Sequence, residues 1–259
     1  NMWNVGGKFA LSQLFYHDAN IGTVSGYNHR IYMGKTSGRL NLNVWQELTD
    51  TKYSHNDLGY FTNNNYIDHG AWVGYKWMEP KGWYNRIFLN FNTYISYLYS
   101  QIGNLEPKFQ RANINVNANV QTKKLSFIGM SLNFNPKEND FYEPRKEGYY
   151  FQRGVSSAMG AWFESNSAKR YSFITQVFAR YFYNFYDYTS VDFILIQNYR
   201  FNQKFSINYQ LSLQPQFNSV GYAWSDDTKI IFGQRKVNTI ENVVGFKFNF
   251  TNMMGITFR

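Results

Sequence analysis

Three features are scarce or missing in this sequence. It has no cysteine, which excludes disulfides, cysteine-ligated zinc and cysteine nucleophiles. Charged residues are only 17 % of the 259, against about 25 % in typical soluble domains. No apolar run reaches the roughly 18 residues that a transmembrane helix needs, and stretches such as VDFILI from Val191 to Ile196 are short. Membrane helices are therefore not predicted, whereas strands of about ten half-apolar residues stay possible.

The chain is rich in aromatic residues and poor in charged ones. They make up 20 % of the chain, with 24 Phe, 22 Tyr and 7 Trp, and the mean hydropathy is still −0.50 because uncharged polar residues are frequent. Rings combined with Asn, Gln, Ser and Thr favour an all-β protein over a helical bundle. The net charge of +9 comes from dispersed Lys and Arg without a basic stripe, so nucleic acid is not an expected partner.

Strict alternation of polar and apolar residues is the main structural signal. In NINVNANV, from Asn113 to Val120, an asparagine is followed by a small or branched aliphatic residue four times. A period of two predicts a strand with one polar and one apolar face. The same pattern recurs in Leu40–Val44, Ile87–Tyr97, Phe205–Gln214 and Val244–Phe250. A strand from Phe88 to Tyr99 would have about the length needed to cross a bilayer at a tilt.

Turn residues separate these runs, as in NQK (Asn202–Lys204) and SDDTK (Ser225–Lys229). The five prolines are expected mostly at turns and strand ends. About eleven to thirteen strands are predicted in a single domain over residues 1–259. The predicted fold class is all-β, an antiparallel transmembrane β-barrel of outer-membrane type. The chain would be an incomplete portion of a larger barrel and a fragment of a longer chain, because an edge exposed to lipid has to be closed by further strands.

The two faces of the strands predict a lumen side and a lipid side. Rings near strand ends, such as Trp72, Trp77 and Trp83, suit the aromatic girdles of a membrane barrel. A soluble sandwich or lectin-like fold is the alternative, but it would favour rings in mid-strand and a more charged outer face. The lumen-facing candidates are Asn113, Asn115, Asn117, Asn119, Ser206, Asn208, Gln210 and Ser212. The lipid-facing candidates are Ile114, Val116, Val120, Phe205, Ile207, Leu211, Val244, Phe246 and Phe248.

Catalytic and metal-binding patterns are not found. The sequence has no GxSxG, HExxH or GxxxxGK[ST] motif, and its four histidines are dispersed. His55 and Asp57 are a nearby acid–histidine pair, and both are better interpreted as loop residues. The charged segment NPKENDFYEPRKEG, from Asn135 to Gly148, is too irregular for a calcium loop and is interpreted as solvated. An enzyme is therefore not favoured, and no catalytic residue, metal site or cofactor is predicted.

Three longer strings resemble a known family: NDLGYFTNNNY (Asn56–Tyr66), YYFQRGVSSAMGAWF (Tyr149–Phe163) and GQRKVNTIENVVGFKFNFTNMMGITFR (Gly233–Arg259). They are similar to an uncharacterised outer-membrane barrel family of Bacteroidota. In that family a C-terminal barrel follows an N-terminal module similar to carbohydrate-binding family 9. The resemblance implies that this chain is the barrel part, with the N-terminal module missing, and it carries over no site residue.

Together these patterns predict an integral protein of the bacterial outer membrane. Its expected roles are porin-like transport or service as a membrane-embedded subunit of an envelope complex. The alternative is a barrel that anchors a surface glycan-binding or glycan-processing protein. Expected partners are outer-membrane lipid, other outer-membrane or surface proteins in a complex, and a glycan through the missing N-terminal module.

Overall fold

The structure, a computed structural model, describes residues 2–16, 22–55, 63–100, 108–251 and 253–258. Asp57 and most of the string from Asn56 to Tyr66 lie outside the described residues. The described residues form fifteen strands and no helix, which confirms the all-β prediction. The strands are β1 Trp3–Phe15, β2 Thr23–Lys35, β3 Leu40–Thr49, β4 Tyr66–Trp77, β5 Tyr84–Leu98, β6 Phe109–Thr122, β7 Phe127–Asn135, β8 Glu138–Asp140, β9 Phe151–Arg153, β10 Ser156–Glu164, β11 Tyr171–Phe182, β12 Thr189–Arg200, β13 Phe205–Ser225, β14 Ile230–Asn249 and β15 Gly255–Phe258.

Thirteen of these strands form one sheet in chain order, and β8 and β9 form a separate two-stranded sheet. Consecutive strands pair in antiparallel fashion from β1 to β4 and from β10 to β15. β1 and β15 are the two ends of the order, so the sheet is not closed within the described residues. β15 is short and pairs only with the segment of β14 from Phe246 to Asn249.

Contacts divide the chain into two compact units. Unit 1 comprises Asn1–Tyr75, Asn90–Asn115 and Asn135–Gly154, and unit 2 comprises Lys76–Leu89, Val116–Phe134 and Val155–Arg259. The single barrel domain over residues 1–259 stays a prediction. Among the described residues, no helix is long and apolar enough to cross a membrane.

Turn side chains hold the predicted short connections. In the turn before β13, Asn202 Oδ1 accepts hydrogen bonds from the backbone N–H groups of Lys204 at 2.8 Å and Phe205 at 2.9 Å. In the turn before β14, Asp226 Oδ1 accepts from the N–H groups of Thr228 at 2.7 Å and Lys229 at 2.9 Å. Asn and Asp occur in turns because their side chains replace the missing backbone acceptors.

Pro215 is an exception to the expected placement of proline. It lies inside β13, opposite Asn238, and does not end that strand. The register between β13 and β14 shifts between Gln216 and Ser219, where Asn218 has a positive φ of 58°. On its other side, β13 pairs with β12 through Gln216 and Leu213 but not through Pro215. Proline is tolerated there because the ladder is already interrupted.

Apolar side chains on one face of the sheet are exposed in both units. In unit 1, Val5 lies opposite Met33 and Met33 lies opposite Val44, so these residues share a face. The exposed fractions of Val5 and Phe9 are 74 % and 69 %. In unit 2, Met159 is 62 % and Ile240 68 % exposed. Few apolar side chains are buried among the described residues, so most of the apolar surface of the strands is exposed.

Candidate functional site

The polar face of unit 1 carries a charged network on β2, β3 and β4. Arg30 lies opposite Glu47, and Glu47 lies opposite Asp68, which places all three side chains on one face. Arg30 and Glu47 form an ion pair at 3.6 Å, and the Arg30 guanidinium lies 4.7 Å from the ring centre of Trp45. Tyr66 donates a hydrogen bond to Glu47 at 3.3 Å. The face opposite the exposed aliphatic side chains is therefore ordered by charge-assisted contacts.

A second cluster joins β4, β5 and β6 on that face. The Tyr94 hydroxyl donates to Asp68 Oδ2 at 3.2 Å and accepts from Arg111 Nε at 3.0 Å. The ring of Tyr94 stacks against Trp45 with centroids 6.3 Å apart. A phenol between a carboxylate and a guanidinium can hold both charged groups without bringing them into direct contact. Asp68 Oδ1 is buried and has no hydrogen-bond partner.

Asparagine side chains also form hydrogen bonds between neighbouring strands, from β5 to β6 and from β6 to β7. Asn92 Nδ2 donates to Asn115 Oδ1, and Asn113 Nδ2 donates to Asn135 Oδ1, both at 2.8 Å. Asn135 Nδ2 in turn donates to Glu138 Oε1 at 2.8 Å. Because each amide is both donor and acceptor, a row of asparagines can bond across strands without carrying charge.

The segment interpreted from sequence as a solvated charged loop is folded around the β8–β9 hairpin. Asp140 Oδ1 accepts hydrogen bonds from the N–H groups of Tyr142 at 3.0 Å and Glu143 at 2.9 Å. Arg153 forms ion pairs with Asp140 at 3.2 Å and Glu143 at 3.6 Å. Pro144 is fully buried in the turn. The interpretation as a solvated loop is wrong, because local carboxylate–backbone bonds and a shared arginine order this segment.

Two contacts fasten the hairpin to the rest of unit 1. The Tyr142 hydroxyl donates to the backbone oxygen of Asn64 at 2.6 Å, and Asn139 Nδ2 donates to the backbone oxygen of Phe109 at 3.0 Å. Burial raises the pKa of Tyr142 to about 12, since the phenolate would lose its solvation there. Tyr142 therefore remains a hydrogen-bond donor well above neutral pH.

A cavity of about 430 Å³ lies between the hairpin and the start of β6. The described residues of its lining are all polar, with amides, Tyr142 and six charged side chains: Arg111, Glu138, Asp140, Glu143, Arg145 and Arg153. Gln110 also lines it, is only 7 % exposed, and has an Nε2 atom without a hydrogen-bond partner. Because this donor is enclosed by the fold, the charged side chains gathered around the cavity mark it as the candidate site.

The predicted residues of β6 differ in exposure along the strand. Ile114 and Val116 are exposed, whereas Val120 and the asparagines of the other face, Asn113, Asn115, Asn117 and Asn119, are half-buried. None of the four asparagines lines the cavity. The assignment of the two faces to lumen and lipid stays a prediction.

The predicted residues of β13 and β14 fall on two faces by register. Phe205 pairs with Phe248 and Ile207 with Phe246, while Leu211 and Val244 share that face. The four polar candidates of β13 lie on the other face, opposite Lys247, Gly245, Val243 and Glu241. Of these, Ser212 is buried, Ser206 and Gln210 are half-buried, and Asn208 is exposed.

Sequence patterns did not identify the residues of the candidate site. Asp68, Tyr94 and Arg111 come together only through strand pairing, and nothing local marks them as neighbours. The aromatic residues inside the charged segment, Phe141 and Tyr142, were the available signal that it is packed. His55 lies beside Tyr53 with ring centres 5.5 Å apart, and within the described ranges no group of three His, Asp or Glu could hold a metal.

Comparison with known proteins identifies a family but no activity. The family model described as "Domain of unknown function (DUF5916)" matches residues 1–259. No curated protein matches the chain. A solved structure described as a NanC porin is 9 % identical, with a TM-score of 0.36, and the match covers 80 % of this chain and 86 % of that chain. A likeness at that score carries no argument about function.

Proposed function

We propose that this chain, which belongs to the DUF5916 family, forms strands of an integral outer-membrane β-barrel through which polar solutes pass. The observation that carries the proposal is the uncovered apolar face of the sheet in each unit. In β7 the exposed residues Ile128, Met130 and Leu132 alternate with Gly129 and Ser131. An apolar surface of this extent is typical of contact with a membrane or another protein.

A soluble sandwich would cover that face with a second sheet. Among the described residues, thirteen strands belong to one sheet and the second sheet has only the six residues of β8 and β9. The short hairpin is bonded to the polar network through Glu138 and Asn135. Lipid is therefore the better partner for the aliphatic side chains, and the polar face would line the interior of a closed barrel.

Passage of solutes is supported by the chemistry of the polar face. Its networks of amides, phenols and paired charges supply donors and acceptors to a solute that leaves water. A barrel that serves only as a membrane anchor would not need such polar networks in its interior. The proposed location in the bacterial outer membrane follows from the barrel, since strands cross a membrane only when their backbone groups are paired in a closed sheet.

The test is reconstitution of the full chain in lipid vesicles and planar bilayers. We expect a heat-modifiable shift in gel mobility, which reports a folded barrel, and stepwise conductance. A Met33→Lys variant serves as control, because a charge on the apolar face should reduce insertion. A protein that stays soluble without detergent and shows no gel shift would overturn the membrane proposal. A folded barrel without conductance would overturn passage alone.

A second role, as a membrane-embedded subunit of an envelope complex, is supported by the open strand edges. Within the described residues, positions 230–245 of β14 have no strand beyond them, and β1 is the other end of the order. Such edges have to pair with further strands before they meet lipid. Stoichiometric co-purification of other outer-membrane proteins from native membranes would support this role, and a lone closed barrel would contradict it.

A further inference from the structure

Three short turns of unit 2 bring together basic residues that are dispersed in the sequence. The turns span residues 123–126 between β6 and β7, 165–170 between β10 and β11, and 201–204 between β12 and β13. Antiparallel pairing of β10 to β13 places the second and third turns at the same end of these strands. With the last residue of β12, the three turns are termed the basic turns, and they carry six exposed cations: Lys123, Lys124, Lys169, Arg170, Arg200 and Lys204.

Hydrogen bonds join the basic turns to one another. Asn166 Nδ2 donates to the backbone oxygen of Lys124 at 3.2 Å, which places the first turn beside the second. Arg200 Nη2 donates to the backbone oxygen of Lys169 at 2.7 Å, and Arg170 Nε donates to the backbone oxygen of Arg200 at 3.1 Å. Because all of these acceptors are uncharged carbonyl groups, the bonds order the turns and leave their positive charge uncompensated.

The basic turns contain little negative charge. Glu164, at the end of β10, is the only acidic residue in the turns or in the strand residues that border them. Within the part of the chain that the structure describes, none of the six cations forms an ion pair. The opposite end of the strands from β11 to β14 carries both signs: Arg180, Lys229, Arg235 and Lys236 with Asp187, Asp226 and Asp227.

Exposed aromatic rings lie next to the basic turns. Tyr171 and Tyr199 pair across β11 and β12, with exposed fractions of 47 % and 37 %. The Arg170 guanidinium lies 5.2 Å from the ring centre of Tyr199. Farther along β11, Val177 lies on the same face as Tyr171 and is also exposed. Cations, rings and aliphatic side chains thus follow one another along these strands. A bilayer presents phosphate, interface and hydrocarbon in the same order.

From this order and the uncompensated charge we infer that the basic turns bind the phosphate groups of anionic phospholipids in the membrane leaflet that they face. Clustered Lys and Arg beside a membrane surface attract anionic headgroups. An acidic protein segment would use the cations but would leave the rings and the aliphatic side chains beside them uncovered. The inference rests on the proposed membrane location and names a lipid class for it. It does not depend on the passage of solutes.

The test is electron spin resonance of the full chain in phosphatidylcholine vesicles with a trace of spin-labelled lipid. The label is carried by phosphatidylglycerol in one sample and by phosphatidylcholine in the other. Lipid in contact with the protein moves slowly and gives a separate spectral component. We expect the protein to prefer phosphatidylglycerol about fivefold, the effect of one cation near an anionic headgroup. The preference should fall in about 1 M salt, which screens exposed charges.

A triple variant removes one charge from each turn: Lys124→Gln, Lys169→Gln and Lys204→Gln. The ammonium groups of these lysines make no hydrogen bond within the described ranges, so the contacts between the turns stay intact. The preference should fall below about twofold. The matched control changes three cations at the opposite end of the strands, where acidic residues are also present, and should keep the preference: Lys229→Gln, Arg235→Gln and Lys236→Gln.

Folding of each variant is checked by the heat-dependent gel shift. If the triple variant does not fold, the double variant Lys169→Gln and Lys204→Gln should still lose about half of the preference. Equal contact with both lipids in the parent protein, or an equal fall in the two triple variants, would overturn the inference and keep the membrane location. Equal contact together with binding of polyglutamate to the vesicles would assign the turns to an acidic protein instead. A chain that slows neither lipid does not contact a bilayer, and both proposals would then fall.

Discussion

Each of the two units has an exposed apolar face, but their polar faces differ. In unit 2 the charged side chains of the polar face are spread along the strands: Lys247 lies opposite Ser206, and Glu241 lies opposite Ser212. In unit 1 the polar face carries Arg30, Glu47 and Asp68 on adjacent strands, and a hairpin with its own ion pairs lies beside them. A sheet in contact with lipid has to carry apolar side chains on the face that meets the lipid. Contact with lipid does not explain why charged side chains cluster in unit 1. This unit is therefore the better place to look for function.

The largest expected effect concerns the exposed apolar face. Val116→Lys should lower the free energy of unfolding in lipid by about 2–4 kcal/mol if the position is near the middle of the bilayer. Asn117→Lys on the opposite face should cost much less, because a charge there can stay hydrated. Urea unfolding in vesicles measures both. Equal losses would mean that the faces are assigned wrongly.

A glycine of unit 1 offers the next test. A Cβ atom at Gly70 would overlap the ring of Trp45 on the neighbouring strand, whereas one at Gly7 would meet its nearest atom at 3.4 Å. Gly70→Ala should therefore destabilise the protein by about 1–3 kcal/mol through overpacking. Gly7→Ala should change stability by less than about 0.5 kcal/mol. If the two variants unfold alike, the packing of Trp45 does not order the polar face of unit 1.

The hairpin of unit 1 should depend on its shared arginine. Arg153→Met leaves Asp140 and Glu143 without their guanidinium partner, and we expect a loss of about 1–2 kcal/mol, since all three side chains are mostly buried. Arg235→Met, at an exposed position of unit 2, is the control and should have little effect. A loss in Arg153→Met no greater than in the control would make the hairpin a surface loop without a structural role.

The smallest effect is the pH dependence contributed by Tyr142. Burial raises the pKa of the Tyr142 phenol from its ordinary value of 10.0 to about 12. Because the pKa is higher in the folded state, the protonated phenol stabilises the fold. This contribution is fully present below pH 10 and is lost as the pH rises through 12. NMR titration of ring-labelled tyrosine should contain one resonance with a midpoint near 12 that is missing in Tyr142→Phe. If the resonance that disappears in Tyr142→Phe has a midpoint near 10 in the parent protein, the hairpin leaves Tyr142 exposed.

The difference between the units also separates what sequence can and cannot predict. The apolar stripe and the turns at Asn202 and Asp226 follow from local patterns, since side chains alternate along a strand and Asx turns are built within three residues. The Asp68–Tyr94–Arg111 cluster depends on the register of three strands, which residue types alone do not set. The β8–β9 hairpin was missed because charge composition suggested solvent, while the ion pairs of Arg153 allow those charges to be half-buried.

Contact of the apolar face with lipid is tested most directly by spin labels on the two faces of β6. Because the chain has no cysteine, Val116→Cys and Asn117→Cys variants each take a single nitroxide label. In vesicles of the full chain, the label at residue 116 should collide more with oxygen, which concentrates in lipid, and the label at 117 more with a water-soluble nickel complex. Equal accessibility at both positions, or the reverse order, would contradict the account.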